Sequence, residues 1–165
     1  MKFIKLGIIS LIVFALMITF ISFLFPSRIR ISKAIDINVS RDTAMAQIAD
    51  PLNWKKWYPG ADTVDYLYFE GKIKGIGTGE MQALMLDSKT DSSVLAVNVG
   101  PRSGRGEQGW NVYNSSLPNT VTVQWYMDIH LKWYPWEKFS GLLMEKRYGP
   151  ILEKGLENLK AHLEK

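Results

Sequence analysis

The sequence predicts one membrane-spanning helix followed by an α+β domain in which a curved antiparallel sheet grips a long carboxy-terminal helix. Three observations predict this architecture. The first is an uninterrupted apolar run near the amino terminus, residues 6–25. The second is a series of short segments that alternate between apolar and polar residues, as strands with one buried face do. The third is an apolar stripe at helical spacing over residues 148–163.

The apolar run "LGIISLIVFALMITFISFLF" is 20 residues long and contains no charge and no proline. At about 1.5 Å per residue, a helix of this length spans ~30 Å, the hydrocarbon thickness of a bilayer. A cleaved signal peptide is the alternative, but its apolar region is normally about 7 to 15 residues and is followed by small residues. Here the bulky Phe23, Leu24 and Phe25 end the run. We therefore expect residues 1–27 to be a tail and an uncleaved anchor, and residues 28–165 to be a separate domain.

The charges that flank the run leave its orientation nearly undecided. Lys2 and Lys5 precede it, whereas Arg28, Arg30 and Lys33 follow it, so the positive-inside rule almost cancels. A very short amino-terminal tail commonly stays in the cytoplasm. We therefore predict a single-pass protein of the cell membrane with its domain outside the cytoplasm.

Composition excludes several classes of function. From residue 26 onward the chain has 18 basic and 16 acidic residues, which leaves no dense basic stripe for nucleic acid. The absence of cysteine removes thiol nucleophiles and thiolate metal sites. The two histidines, His130 and His162, lack the spacing of a metal-ligand pair. We expect no nucleic-acid partner, no metal and no cofactor.

The front of the domain predicts one strand and two short helices. Residues 29–39 alternate cleanly, which is typical of a half-buried strand. A capped helix follows and must end near Asp50, because Pro51 disfavours helical conformation in the residue before it. Asp50 and Pro51 then suit the start of a second helix, on which Trp54 and Trp57 share one face.

The remainder predicts an antiparallel meander and a closing helix. The candidate strands are residues 63–71, 78–86, 92–100, 107–115 and 120–133. The glycine-rich stretch 71–80 is interpreted as a hairpin turn and not as a phosphate loop, since a strand follows it. The closing helix is predicted to extend upstream through Phe139, Leu142 and Leu143, with a kink at Gly149-Pro150.

Two segments carry a family resemblance, "ISKAIDINVSRDTAMAQIADPLNWKKWYPG" at residues 31–60 and "YGPILEKGLENLKAHLE" at residues 148–164. With this order of elements, residues 28–164 resemble the START-like or Bet v 1-like helix-grip superfamily, and most of all its bacterial polyketide cyclase/SRPBCC branch. The resemblance implies a hydrophobic cavity between sheet and long helix that takes lipids, sterols, polyketides or other apolar ligands. It also implies that a minority of members are enzymes, and fold alone does not decide between these roles.

A set of large apolar side chains and one lysine are the candidate cavity-lining or mouth residues: Lys33, Trp54, Trp57, Met81, Met85, Trp110, Trp125, Met127, Phe139, Leu143 and Tyr148. Trp54 and Trp57 either close the cavity mouth or plug the core, and the large area that a tryptophan buries favours the plug. Lys33 interrupts an apolar strand face. It either holds an acidic ligand group or a carboxylate such as Glu80, or snorkels to water near a strand end or a bulge.

Candidate catalytic groups are few. His130 and Asp128 share the polar face of the last strand and could form a dyad, with Tyr126 beside them, but a solvated sheet surface is the preferred explanation. The loop at residues 100–109 carries Arg102 and Arg105, which either clamp an anionic headgroup or are simply solvated.

Three functions fit these features. The preferred one is a non-catalytic, membrane-anchored domain that binds a hydrophobic small molecule or lipid. The second is an enzyme of cyclase, aromatase or hydratase type on the same fold. The third is a tethered interaction or stress-response module whose core is filled.

Overall fold

The computed structural model describes residues 2–78, 82–100 and 106–165. Five α-helices and seven strands follow in the order α1 Lys2–Ser22, β1 Arg28–Ile37, α2 Arg41–Ile48, α3 Pro51–Trp54, β2 Asp65–Phe69, β3 Lys72–Thr78, β4 Gln82–Lys89, β5 Ser93–Val99, β6 Gly106–Asn114, β7 Val121–His130, α4 Pro135–Ser140 and α5 Met144–Leu163. Short 3-10 turns lie at Ala61–Thr63 and Gly141–Leu143.

The strands form one antiparallel sheet in the order β1-β7-β6-β5-β4-β3-β2. The predicted meander is therefore confirmed, and β1 closes it by pairing with β7. The inner face of the sheet is the one that helices cover: α5 lies on β1 and β7, α2 contacts β6 and α3 contacts β3. The opposite side is the outer face. This arrangement confirms the predicted α+β fold, in which the sheet grips the last helix.

The stretch predicted as a hairpin turn is instead a strand. Lys72–Thr78 forms β3, and the reversal of direction lies just before it, where Glu70 and Gly71 have positive φ angles of 49° and 75°. Gly75 explains why the alternation of apolar and polar residues did not predict this strand. A Cβ on Gly75 would collide with the carbonyl oxygen of Leu84 on β4, so close backbone approach requires glycine there.

The predicted upstream extension of the closing helix is also wrong. Residues 135–143 form α4 and a 3-10 turn, and α5 begins only at Met144. Gly141 packs tightly at this junction, since a Cβ there would lie 2.5 Å from Ile29 Cδ1 and 2.7 Å from Leu131 Cδ1. From Met144 the helix continues through Pro150 to Leu163.

Strand register shows which strand ends lie beside the junction of α1 and β1. Register places Arg28 opposite His130, Ile129 opposite Gly106 and Glu107 opposite Val97. It continues with Val99 opposite Ala83, and Ala83 opposite Gly77. The start of β1, which follows α1, therefore lies at the same end as the start of β4 and the ends of β3, β5 and β7. We call this the α1-proximal end.

Helix α1 is long and apolar enough to cross a membrane, and none of its most apolar window is buried by the rest of the described chain. Its large side chains are exposed along its length. The first buried core side chain of the domain is Ile31 on β1, so the core begins after α1 ends.

Candidate functional site

Four tryptophans fill the centre of the core. Trp54 belongs to α3, Trp57 follows it, and Trp110 and Trp125 are paired neighbours on β6 and β7. Each is at most 1% exposed, and contacting rings have centroids between 5.4 and 6.2 Å apart. The space between sheet and helices that the resemblance implies as a cavity is therefore occupied by rings at this position.

The local sequence explains how α3 positions the ring of Trp54. The Asp50 carboxylate accepts a hydrogen bond from the Leu52 backbone amide at 3.0 Å, and Pro51 occupies the first helical turn. The Trp54 indole then donates to the Ile48 carbonyl at 2.8 Å. By contrast, the indole N–H groups of Trp57 and Trp110 are buried without a hydrogen-bond partner.

A cleft of about 190 Å³ lies beside this cluster, between the segment that follows α3 and the inner face of β3, β4 and β5. Polar and apolar atoms contribute about equally to its exposed wall, and its lining residues are Tyr58, Pro59, Gly60, Ala61, Val64, Ile76, Gly77, Ala83, Leu84 and Asn98. The strand residues among them are at or near the α1-proximal end of the sheet.

Tyr58 and Asn98 are the two lining residues whose side chains bring polar groups to the cleft, and both belong to a buried hydrogen-bond network. Tyr58 Oη and Trp125 Nε1 both donate to Gln108 Oε1 at 3.2 Å, and Gln108 Nε2 donates to Asn98 Oδ1 at 3.4 Å. Burial raises the pKa of the Tyr58 phenol, against the lowering effect of its bond to Gln108. The phenol is therefore a neutral hydroxyl at physiological pH.

Sequence reasoning missed Tyr58, Asn98 and Gln108 as site residues. Gln108 did carry a signal, because it precedes Trp110 and Val112 at every second position of β6 and so must face the core. A buried amide at such a position needs partners. Their identity depended on strand register, which places Gln108 opposite Ala96 on β5 and Met127 on β7.

The predicted cavity residues do not form one group. Met127 is buried on the inner face and Tyr148 packs partly buried against the core. Met85 follows the inward Leu84 on β4, projects to the outer face and does not line the cleft. Met81 lies outside the described residues.

Phe139 and Leu143 also lie away from the cleft. They lie at the α1-proximal end, 37% and 65% exposed, and the Phe139 ring contacts Phe25 with centroids 5.3 Å apart. The reason is the break between α4 and α5, which turns this segment away from the apolar face of α5.

Lys33 lies between β1 and α5 and not at the cleft. Its ammonium is 2.9 Å from Glu145 Oε1 and 2.9 Å from Glu153 Oε1, both on α5. Hydrogen bonds to these carboxylates raise the pKa of Lys33. Gly149 lets the side chain cross the helix, since a Cβ there would be 3.3 Å from Lys33 Cε. Its carboxylate partners are these two, whereas Glu80 lies outside the described residues.

The candidate catalytic groups lie on the outer face, away from the cleft. Asp128 is fully buried there, and its carboxylate accepts bonds from Arg30 Nε at 2.8 Å, Arg30 Nη2 at 2.6 Å and Arg28 Nη2 at 2.7 Å. The Arg30 bonds, helped by Arg28 and opposed by burial, lower the pKa of Asp128 to about 2. Arg30 also stacks on Tyr126, 4.3 Å from the ring centre. Asp128 is thus an ion-paired carboxylate and a poor proton acceptor.

No cluster of three or more metal-ligating side chains occurs within residues 2–78, 82–100 and 106–165.

This sheet and its gripped helix define the START-like helix-grip fold, which suggests ligand binding or cyclase activity. The family described as polyketide cyclase/dehydrase and lipid transport matches residues 28–164, and the chain belongs to it. No curated protein matches the sequence significantly.

Solved structures share the fold at low sequence identity. A START superfamily protein from Mycobacterium smegmatis is 18% identical, with a TM-score of 0.62 over 82% of this chain and 97% of its own. The ZhuI aromatase/cyclase from Streptomyces sp. R1128 is 14% identical, with a TM-score of 0.58 over 83% and 94%. The di-domain aromatase/cyclase BexL of the BE-7585A biosynthetic pathway is 14% identical, with a TM-score of 0.62 over 82% and 46%.

Proposed function

We propose that this protein is a membrane-anchored, non-catalytic domain that binds a small hydrophobic molecule, or the end of a lipid, in the cleft beside Tyr58. The observation that carries the proposal is the cleft itself. It lies on the inner face of the sheet and combines apolar side chains such as Val64, Ile76 and Leu84 with one neutral hydroxyl and one amide at its wall. Ligand sites in proteins commonly combine apolar walls with a few polar groups that orient the ligand.

The size of the cleft limits the ligand. Most small-molecule pockets measure about 300 to 1,000 Å³, whereas an apolar cavity of roughly 150 Å³ holds benzene. The volume here, about 190 Å³, suits one small ring or a short length of acyl chain. A whole polyketide or phospholipid would extend beyond it.

The position of the cleft supports a ligand drawn from the bilayer. Gly77, Ala83 and Asn98 bring the cleft to the α1-proximal end of the sheet, the end at which α1 joins β1. If α1 spans a membrane, a ligand dissolved in that membrane has a short path to the cleft. We place the domain on the extracytoplasmic side, because the short amino-terminal tail is expected to remain inside.

The absence of catalysis is supported by where the proton-transfer candidates lie. Asp128 and Tyr126 are on the outer face, with the sheet between them and the cleft, and Asp128 is held by two arginines. At the cleft wall, Tyr58 has a raised pKa and donates its only hydroxyl hydrogen to Gln108, so it stays protonated and is not suited to abstracting a proton.

A second function, the tethered interaction module, is favoured by the tryptophan-filled centre of the core. The two functions differ in whether a small molecule is bound. The test is to purify the full chain in detergent and in lipid nanodiscs, and to analyse it by native mass spectrometry and by solvent extraction.

Val64→Phe is the diagnostic variant, because Val64 is half-buried, lines the cleft and would place a ring in it. Val99→Phe is its matched control, since Val99 is exposed and does not line the cleft. We expect a copurifying hydrophobic molecule with wild type and Val99→Phe, and its loss from Val64→Phe. A ligand-free wild type would favour the interaction module, whereas equal occupancy in all three proteins would overturn the cleft as the binding site.

A further inference from the structure

A group of large apolar side chains remains exposed at the α1-proximal end. We call it the apolar base, and it comprises Trp133, Trp136, Phe139, Leu142 and Leu143. Trp136 is 70% exposed, Leu142 66% and Trp133 62%. Five such residues within eleven positions of one surface segment are more than the scattered single exposures that a soluble monomer normally shows.

The apolar base is attached to the end of α1. Lys138, itself buried, donates from Nζ to the Phe25 carbonyl at 3.1 Å and to Ser27 Oγ at 2.6 Å. Leu131 N donates to the Ser27 carbonyl at 2.8 Å, and Phe25 packs edge-on against Phe139. These bonds hold the base beside the point where α1 stops.

The exposed rings are ordered although they are not covered. Tyr134 stacks on Trp136 with centroids 4.9 Å apart and an angle of 16°, and Trp133 lies 5.3 Å from Tyr134. Pro135 starts α4 between them. Preformed, stacked rings present apolar surface without further loss of side-chain freedom on contact.

Charge and composition match a bilayer surface. Residues 131–147 carry four basic and two acidic side chains, and Lys132 lies over Tyr134 with its ammonium 5.6 Å from the ring centre. Tryptophan and tyrosine are enriched where hydrocarbon meets headgroups, and lysine and arginine lie on the headgroup side of that boundary.

We propose that the apolar base lies in the interfacial layer of the same bilayer that α1 spans, and so holds the domain against the membrane with the cleft end facing it. The inference depends on the proposed membrane anchoring. The occupant is the bilayer because the exposed apolar surface runs from Phe23 and Leu24 at the end of α1 directly onto the base. A protein partner would have to occupy the same interfacial layer.

The tryptophans provide a direct probe. Four of the six are buried in the core, and only Trp133 and Trp136 are exposed. The full chain is placed in nanodiscs of phosphatidylcholine and phosphatidylglycerol, either unlabelled or brominated on the acyl chains near the headgroup. We expect brominated lipid to quench part of the tryptophan emission, and the double variant Trp133→Phe/Trp136→Phe to lose that quenched part.

A second pair of variants tests the contact itself. Leu142→Glu/Leu143→Glu puts charge into the base and should reduce the quenching of Trp133 and Trp136 severalfold. Leu117→Glu, at an exposed leucine in the connection between β6 and β7 at the opposite end of the sheet, should leave it unchanged. Circular dichroism and the emission of the core tryptophans report whether each variant is folded.

Carbonate extraction separates the two proposals. Chain that resists extraction but shows no quenching is anchored without a docked base, which overturns this inference alone. Chain that carbonate releases overturns the anchoring and this inference with it. Absent quenching in doubly loaded nanodiscs, together with crosslinked dimers there and quenching that returns in singly loaded nanodiscs, would assign the base to a second copy.

Discussion

Asp128 illustrates how a residue on the outer face of a sheet can be fully buried and still ionised. Its pKa of about 2 lies below the ordinary 3.8, so ionisation stabilises the fold above the unfolded pKa and that contribution is lost as pH falls through about 2. We expect Asp128→Asn to lower the free energy of unfolding by ~1 to 2 kcal/mol at pH 7, a figure reduced for the exposure of both arginines. The deficit relative to wild type should shrink as pH falls from about 4 towards 2.

Urea unfolding in mild detergent at several pH values measures that difference. Asp62→Asn, at an exposed position, serves as the control and should match wild type. A deficit for Asp128→Asn that is constant across this pH range would show that the side chain acts through packing and not through its charge.

Two core tryptophans differ in one hydrogen bond. Trp54 Nε1 donates to the Ile48 carbonyl, whereas Trp110 Nε1 has no partner. Both variants to phenylalanine lose ring volume, but Trp54→Phe also leaves a carbonyl unsatisfied, so it should cost about 1 kcal/mol more than Trp110→Phe. Thermal and urea unfolding compare them, and equal losses would contradict the importance of the Trp54 bond.

At the residue level, alternation along β7 predicted which side chains face inward, including Trp125 and Met127. It could not predict that Asp128 would be buried, because Arg28 and Arg30 on β1 cover this side chain. These arginines precede Asp128 by 100 and 98 residues in the sequence, and only the register between β1 and β7 brings them together. The hydrogen bonds of Gln108 to Tyr58 and Asn98 could not be predicted for the same reason, because they also depend on how separate parts of the chain pack together.

Elements with a clean period were predicted, and those punctuated by glycine were not. Strands β1 and β7 alternate regularly and were predicted close to their observed bounds, and helix α5 was predicted from its regular repeat although its start at Met144 was not. β3 was missed because Gly75 and Gly77 resemble a turn locally, although Gly75 is required by contact with β4. The division of the last helical pattern into α4 and α5 depends on Gly141, whose contacts with Ile29 and Leu131 are tertiary.

Gly155 allows α5 to lie close to the sheet. A Cβ at this position would overlap the Trp125 ring and lie 3.0 Å from Pro59 Cδ. Gly155→Ala gains about 1 kcal/mol of helix propensity but overpacks the core, so we expect a net loss of ~1 to 2 kcal/mol. Glu157→Ala on the exposed side of α5 should change stability by less than about 0.5 kcal/mol. Unfolding of both variants in detergent tests this, and a stabilised Gly155→Ala would mean that α5 can shift away from β7.

On the scale of the whole molecule, the order of elements predicted the fold, since a strand, two helices, a meander and a long helix have few ways to bury their apolar faces. Cavity size could not be predicted in this way. Tryptophan and methionine suit both a ligand pocket and a filled core, and Trp57, Trp110 and Trp125 fill the space. What remains open is a small cleft whose walls come from five separate parts of the chain.

The orientation of the whole chain in a membrane gives the last prediction. Lys2 and Lys5 lie on one side of α1 and Arg28, Arg30 and Lys33 on the other, and charges within about 15 to 20 residues of a span decide its direction. With the short tail retained inside, a carboxy-terminal alkaline phosphatase fusion in a bacterial host should be active, and a fluorescent protein that folds only in the cytoplasm should be dark. Lys2→Glu/Lys5→Glu should reverse both signals in a large part of the molecules, because the basic residues after α1 are then unopposed. Lys154→Glu, far from the span, should change neither signal, and a bright wild-type fusion with an inactive phosphatase would place the domain in the cytoplasm.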